Sequence, residues 1–166
     1  MVADRGAAGF SLAEGLVTLA LLLLLAGIAL AQGPATLASL RVETVTRRLA
    51  LGIEQGRLAA ERSGQPCALQ LDERGWHAPA TGELPACPGV ELSLGEGLAD
   101  STVQLSSNFP PLVRFSSNGL VLDGGTVRVA AAATPLERCL VMALPLGVVR
   151  VGRWSEEAGC RPDPSL

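Results

Sequence analysis

Four cysteines, one histidine beside two acids, an arginine–tryptophan pair and a solitary glutamate are the residues of this 166-residue chain to weigh first. Cys67, Cys87, Cys139 and Cys160 allow three pairings. The sequence-local one, Cys67–Cys87 with Cys139–Cys160, closes two loops of about twenty residues. Each such loop restricts the unfolded chain by about 3 kcal/mol in the chain-entropy account. Buried free thiols are the other reading. No C-x-x-C occurs and His77 is the only histidine, so a zinc site lacks its ligands. His77 stands near Asp72 and Glu73, a set able to move a proton. At a hairpin turn the same set is ordinarily a solvated surface group, and that reading is preferred. No G-x-S-x-G, Walker A or G-x-G-x-x-G stretch is present. Catalysis, a cofactor and a resident metal are all without support. Gly152-Arg153-Trp154 sets a cation beside a ring that can stack on a base. Glu156, Glu157 and Asp163 follow closely and oppose a phosphate-binding field.

Glu14 is the acid that needs a reason. It opens an uncharged run that ends only at Arg41. The apolar stretch from Gly15 to Ala31, extended by its neighbours, approaches the ~20 residues that a helix needs to cross a bilayer. Leucine-rich helix centres insert favourably, whereas a carboxylate at membrane depth costs about 2.5–3.5 kcal/mol and wants a cationic partner. Three readings compete. A secretory signal peptide would be cut after Ala29-Leu30-Ala31, before Gln32, and would release a disulfide-stapled binding domain. That needs a basic amino-terminal region, but Arg5 is offset by Asp4 and Glu14. A plain single-span anchor leaves Gly9-Phe10-Ser11-Leu12-Ala13-Glu14 unexplained. The third is a leader peptide ending at Gly9.

That last hexapeptide with its apolar helix resembles the class III leader of type IV pilins and type II secretion pseudopilins. The resemblance implies a cut between Gly9 and Phe10 by a prepilin peptidase and N-methylation of Phe10. It also implies that Glu14 meets the amino terminus of a neighbouring subunit during assembly. The leader departs from the usual pattern in having only Arg5, offset by Asp4. The implied partners are other pilins or pseudopilins, the inner-membrane assembly platform, the peptidase and the membrane. The implied place is the bacterial inner membrane, with a cytoplasmic N-terminus and a periplasmic C-terminal domain. Charge counting opposes this, since Arg41, Arg47 and Arg48 follow the apolar run against Arg5 before it. Four cysteines suit an oxidising compartment and favour the periplasmic side.

The positioning elements follow in order. Residues 1–9 read as leader, 10–31 as the membrane and filament-core helix, and 32–62 as its amphipathic continuation. Pro34 should kink that helix. Val42, Val45, Leu49, Ile53 and Ala60 form its apolar stripe, and Ser63-Gly64-Gln65-Pro66 ends it. Residues 63–166 read as a β-rich domain of seven to nine short strands, with an irregular stretch from Thr81 to Gly97. Cys67–Leu71 should pair with Trp76–Ala78, and Leu112–Phe115 and Leu120–Leu122 flank Ser116-Ser117-Asn118-Gly119. Val90–Leu94 and Thr102–Leu105 are further strand candidates. Asp123-Gly124-Gly125 reads as a hairpin turn into Thr126–Ala130, and Cys139–Leu144 should pair with Val148–Trp154. The fold class is α+β and pilin-like, a long N-terminal helix packed on an antiparallel sheet domain.

This order, with Phe115-Ser116-Ser117-Asn118-Gly119 as an F-x-x-x-G segment, is similar to the H-type pseudopilin and FimT-like minor pilin branch. The resemblance implies a minor pseudopilin of a type II secretion pseudopilus. The alternative is a type IV minor pilin for adhesion, pilus assembly or DNA uptake. Some FimT-like proteins bind DNA through Gly-Arg-x-Arg, and Gly147-Val148-Val149-Arg150 lacks the first arginine. Arg150, Arg153 and Trp154 are the possible DNA contacts on that alternative.

Overall fold

Val42, Val45, Leu49, Ile53 and Ala60 recur on one side of a 3.6-residue helix, and all five are buried. The computed structural model describes residues 11–80, 82, 84–94, 102–144 and 147–163. Gly9 and Phe10, the expected processing site, lie outside the described residues, as do Gly95–Gly97 at the end of the irregular stretch and Pro145-Leu146. Helix α1 runs Leu12–Ser63, and Pro34, where a kink is expected, lies inside it. It stops where Gly64 takes a left-handed φ of 62°, a conformation that costs glycine little.

The chain divides into two units after Pro34. In the first, every side chain described from Ser11 to Leu30 is exposed. In the second, residues 35–166, the rest of α1 packs with two antiparallel sheets. Strands β1 (Cys67–Asp72), β2 (Gly75–His77), β3 (Leu92–Ser93) and β5 (Val113–Phe115) form the first sheet, in the order β3-β2-β1-β5. Strands β4 (Val103–Ser107), β6 (Gly125–Ala131), β7 (Arg138–Ala143), β8 (Val148–Ser155) and β9 (Gly159–Pro162) form the second, in the order β4-β6-β7-β8-β9. The arrangement is α+β and pilin-like.

Glycines decide how closely α1 approaches the first sheet. Gly52 lies under the indole of Trp76, whose ring atoms occupy the space a β-carbon would take. One turn on, a β-carbon at Gly56 would stand 2.7 Å from the Phe115 ring and 2.9 Å from Leu69. Trp76 Nε1 donates to the Leu49 carbonyl at 2.9 Å, so the ring's polar atom is satisfied within the core. Trp76, Phe115, Leu49, Ile53 and Leu69 are the large fully buried side chains here. Each contributes roughly 1.5–3 kcal/mol through removal from water. Val127, Val129, Leu140 and Met142 supply the inner face of the second sheet.

The Asp123 turn is a correction. An Asp-Gly pair between alternating runs signals a two-strand hairpin, but β5 and β6 belong to different sheets. Leu120–Leu122 instead folds back on β5 through a Phe115–Val121 bridge and a Leu122 N–H bond to the Arg114 carbonyl of 2.9 Å. The Asp123 carboxylate is spent on Arg114, accepting from its backbone N–H at 3.0 Å and from Nε and Nη2 at 2.8 Å each. These bonds hold the chain at the crossing between sheets, where a free hairpin turn would have left the acid in water.

The hydrogen bonds from Arg114 hold the Asp123 carboxyl below the ordinary carboxylate range, against the opposing effect of partial burial. A carboxyl whose pKa is lowered by folding stabilises fully above its unfolded value of about 3.9. That stability is lost as pH falls through the lower, folded value. Asp123→Asn is therefore expected to flatten the acid limb of the stability–pH curve below about pH 4. Unfolding midpoints of variant and parent, measured across that limb, check it; parallel limbs would show that Asp123 is not a contributor.

Candidate functional site

Ser11-Leu12-Ala13-Glu14 is an S-x-x-E sequence at the start of α1, and it acts as a helix cap. Ser11 Oγ accepts from the Glu14 N–H at 3.2 Å, and the Gly15 N–H reaches the Ser11 carbonyl at 3.1 Å. Glu14 thus occupies the first turn, where the helix dipole favours an anion. Its side chain is exposed. Directly behind it Leu16, Val17, Leu19, Leu21 to Leu25, Ile28 and Leu30 are between 51% and 79% exposed. A helix apolar all round has no place in water; it seats in hydrocarbon or among other helices. By length and composition this helix can cross a membrane.

The same helix continues with a second exposed row. Leu37, Leu40, Thr44, Leu51 and Leu58 face away from the buried stripe. Spacings of three, four and seven place them along one side. In the sequence Leu51 and Leu58 look like filler beside the inward stripe. Gly52 and Gly56 carry no periodic signal there. Two glycines inside a helix cost about 1 kcal/mol each relative to alanine, and that cost is the signal of a close neighbour.

Both cysteine pairs are bridged, Cys67 to Cys87 and Cys139 to Cys160. The first pins the otherwise irregular segment beside β1, where Ala86 makes a parallel bridge to Ala68. The Ala68 N–H also donates to the Pro85 carbonyl at 2.9 Å. The second joins β7 to β9, which are separated in the sheet by β8. Their Cα atoms are 5.7 Å apart, whereas two strand spacings would be about 9.5 Å. The sheet must fold over sharply there, and Gly152 on β8 allows it. A β-carbon at that position would run into the Arg161 carbonyl on β9.

The three residues named for nucleic acid do not converge. Register on β7 sets Arg150 opposite Val141 and Arg153 opposite Arg138, so the two arginines lie on opposite faces of β8. Arg153 Nε is 3.6 Å from Asp163 Oδ2. Trp154 is half-buried on the outer face, and the guanidinium of Arg128 sits 5.4 Å from its ring centroid. Arg128 is itself held by a fork of bonds to Glu137 at 2.8 and 2.7 Å. His77 Nδ1 lies 3.6 Å from Asp72 Oδ1 and 3.2 Å from its near neighbour's carbonyl at Gly75. It lies in β2, paired with Gln70 on β1 and half-buried.

Residues 45–145, more than half of the chain, match the family described as Type II transport protein GspH. The match takes in α1 from Val45 onward and all strands from β1 to β7. No curated protein and no solved structure matches the chain.

Proposed function

The chain belongs to the GspH family of type II transport proteins and is a type II secretion pseudopilin, and on that premise we propose that it is a minor subunit of the pseudopilus. The observation that carries the proposal is the exposed apolar helix of residues 16–30, opened by a capped Glu14 and joined to a family-matched domain. Residues 1–9 are the leader, removed by a prepilin peptidase after Gly9. Residues 10–31 hold the subunit in the inner membrane and then pack laterally against other pseudopilin helices as it leaves the bilayer. Residues 32–62 carry the helix into the β-rich domain of residues 63–166, which stands on the periplasmic side. The two disulfides support that placement, because such bridges persist in an oxidising compartment. Glu14 pairs with the methylated amino terminus of a neighbouring subunit, which repays the cost of holding an acid among apolar helices. The work is binding and mechanical, without turnover.

The test is the mature amino terminus, read by mass spectrometry on protein recovered from membranes of a host that carries a prepilin peptidase. A chain that starts at N-methylated Phe10 is expected. A start at Gln32 would overturn the filament role and leave a secreted domain. In the same host, Glu14→Val is expected to be cut normally yet to fall at least tenfold in recovery from sheared pseudopili, because registry rather than insertion is lost.

A further inference from the structure

The groove between α1 and strands β7–β8 contains a guanidinium with more donors than partners. Arg138 is 95% buried, being only 5% exposed, and its Nη2 is bonded to Glu43 on the helix. Nε and Nη1 of the same group are buried and have no hydrogen-bond partner. Asp163 Oδ2 approaches Nη1 only to 3.9 Å, an ion-pair distance beyond hydrogen-bond reach. Buried donors left unmade are costly, and the free N–H groups of a guanidinium can bond a second carboxylate.

Arg138 lines an open groove of about 330 Å³ with Glu43, Thr46, Arg47, Ala50 and Val151. Arg47 and Arg153 are largely exposed, at 73% and 68% of their side chains, and each meets a carboxylate only at 3.8 and 3.6 Å. Among the described residues, these three arginines meet two acids, Glu43 and Asp163, within 4 Å. Ala50 and Val151 provide an apolar wall of the kind that suits the methylenes of an acidic side chain.

We infer that this groove receives a carboxylate from a neighbouring subunit, an aspartate or glutamate side chain that competes with Asp163 for Arg138. A polypeptide is the occupant because Arg47 lies in the exposed row Leu40, Thr44 and Leu51 of α1, so the groove opens beside an apolar strip. Assigning the neighbour as a subunit rests on the pseudopilin reading; binding of a carboxylate does not.

Two arms test this on the full chain in detergent micelles. Acetate is titrated at constant ionic strength, with chloride as the counter-titrant, while the arginine Nε–H resonances are followed by NMR. A saturable shift of the Arg138 resonance is expected. Asp163→Asn should tighten the apparent affinity at least threefold by removing the competitor, and Arg47→Gln should weaken it at least threefold. Opposite movements of two surface variants distinguish binding from damage to the fold. A linear shift, or equal affinity in parent and both variants, overturns the site. In the second arm a photocrosslinker replaces Leu51, in the exposed row beside the groove, in cells expressing the other pseudopilins. An adduct on an acidic segment of one of them is expected; acetate binding without such an adduct overturns the subunit as occupant while leaving the carboxylate site standing.

Discussion

Trp76→Ala is expected to lower the unfolding free energy of the domain by about 3–5 kcal/mol, the range for removing a fully buried large aromatic. Trp76 is 1% exposed, and its ring lies in the notch that Gly52 leaves on α1. The substitution removes the ring, opens a cavity against a helix that cannot collapse into it, and leaves the Leu49 carbonyl without its indole donor. Denaturant unfolding of the detergent-solubilised chain, followed by the fluorescence of Trp154, gives the number directly. A loss below about 1 kcal/mol would show that the indole is not the wedge described. Trp76→Phe should recover much of the loss, with a shortfall of about 1 kcal/mol for the missing hydrogen bond. Gly52→Ala should by itself cost about 1–3 kcal/mol, because the new methyl meets the indole. The two changes should be strongly non-additive, since alanine at position 52 partly fills the space left by the ring. Additivity within about 0.5 kcal/mol would argue that the ring and the glycine do not touch.

Joint replacement of Cys139 and Cys160 by alanine should cost about 3 kcal/mol on the chain-entropy account of a loop of this length. The native bridge closes a separation of 21 residues and draws β9 back across β8. Without it, β9 is a four-residue strand at the edge of its sheet, supported by one neighbour. Short edge strands with few supporting contacts open first. Faster amide exchange confined to residues 159–161 and the facing part of β8 is therefore expected to accompany the global loss. An unchanged unfolding midpoint and unchanged exchange would mean that the β8–β9 ladder holds the tail unaided. The Cys67–Cys87 bridge remains in this variant, so a general failure to oxidise is separated from loss of the one crosslink.

The inward stripe of α1 could be read from the sequence because a period of 3.6 is a strong signal over five positions, and its end because glycine followed by proline stops a helix. The hairpin of β1 and β2 was equally plain, since Asp72 makes the local bond to the Arg74 N–H, at 2.7 Å, that a tight turn needs. Val90–Leu94 shrank to Leu92–Ser93, and Thr102–Leu105 lengthened to Val103–Ser107, within the usual uncertainty of strand ends. The Asp123 motif misleads because a turn signal does not reveal that its carboxylate has a partner nine residues earlier in Arg114. β9 had no periodic signature: Gly159-Cys160-Arg161-Pro162 is a strand through its pairing with β8 and its disulfide. Arg138 illustrates the same limit. Beside Glu137 in the sequence it looks like half of a local ion pair, but Glu137 goes to Arg128 on the outer face, and Arg138 turns inward to Glu43, ninety-five residues away. Alternation along a strand separates adjacent charges, and only tertiary placement says which is buried.

The indole seated on Gly52 also has a mechanical meaning. A subunit that is pushed or pulled along its helix must pass the load to its globular part through whatever couples the two. Here α1 and the first sheet are not merely pressed together by greasy surfaces that slide. The ring of Trp76 stands in a gap on the helix surface, and Phe115 stands in the next gap at Gly56 one turn away. Sliding the helix lengthwise would drive each ring into the side chains on either side of its gap. The pair works as two pegs loaded in shear, which yield together, where a flat contact would creep.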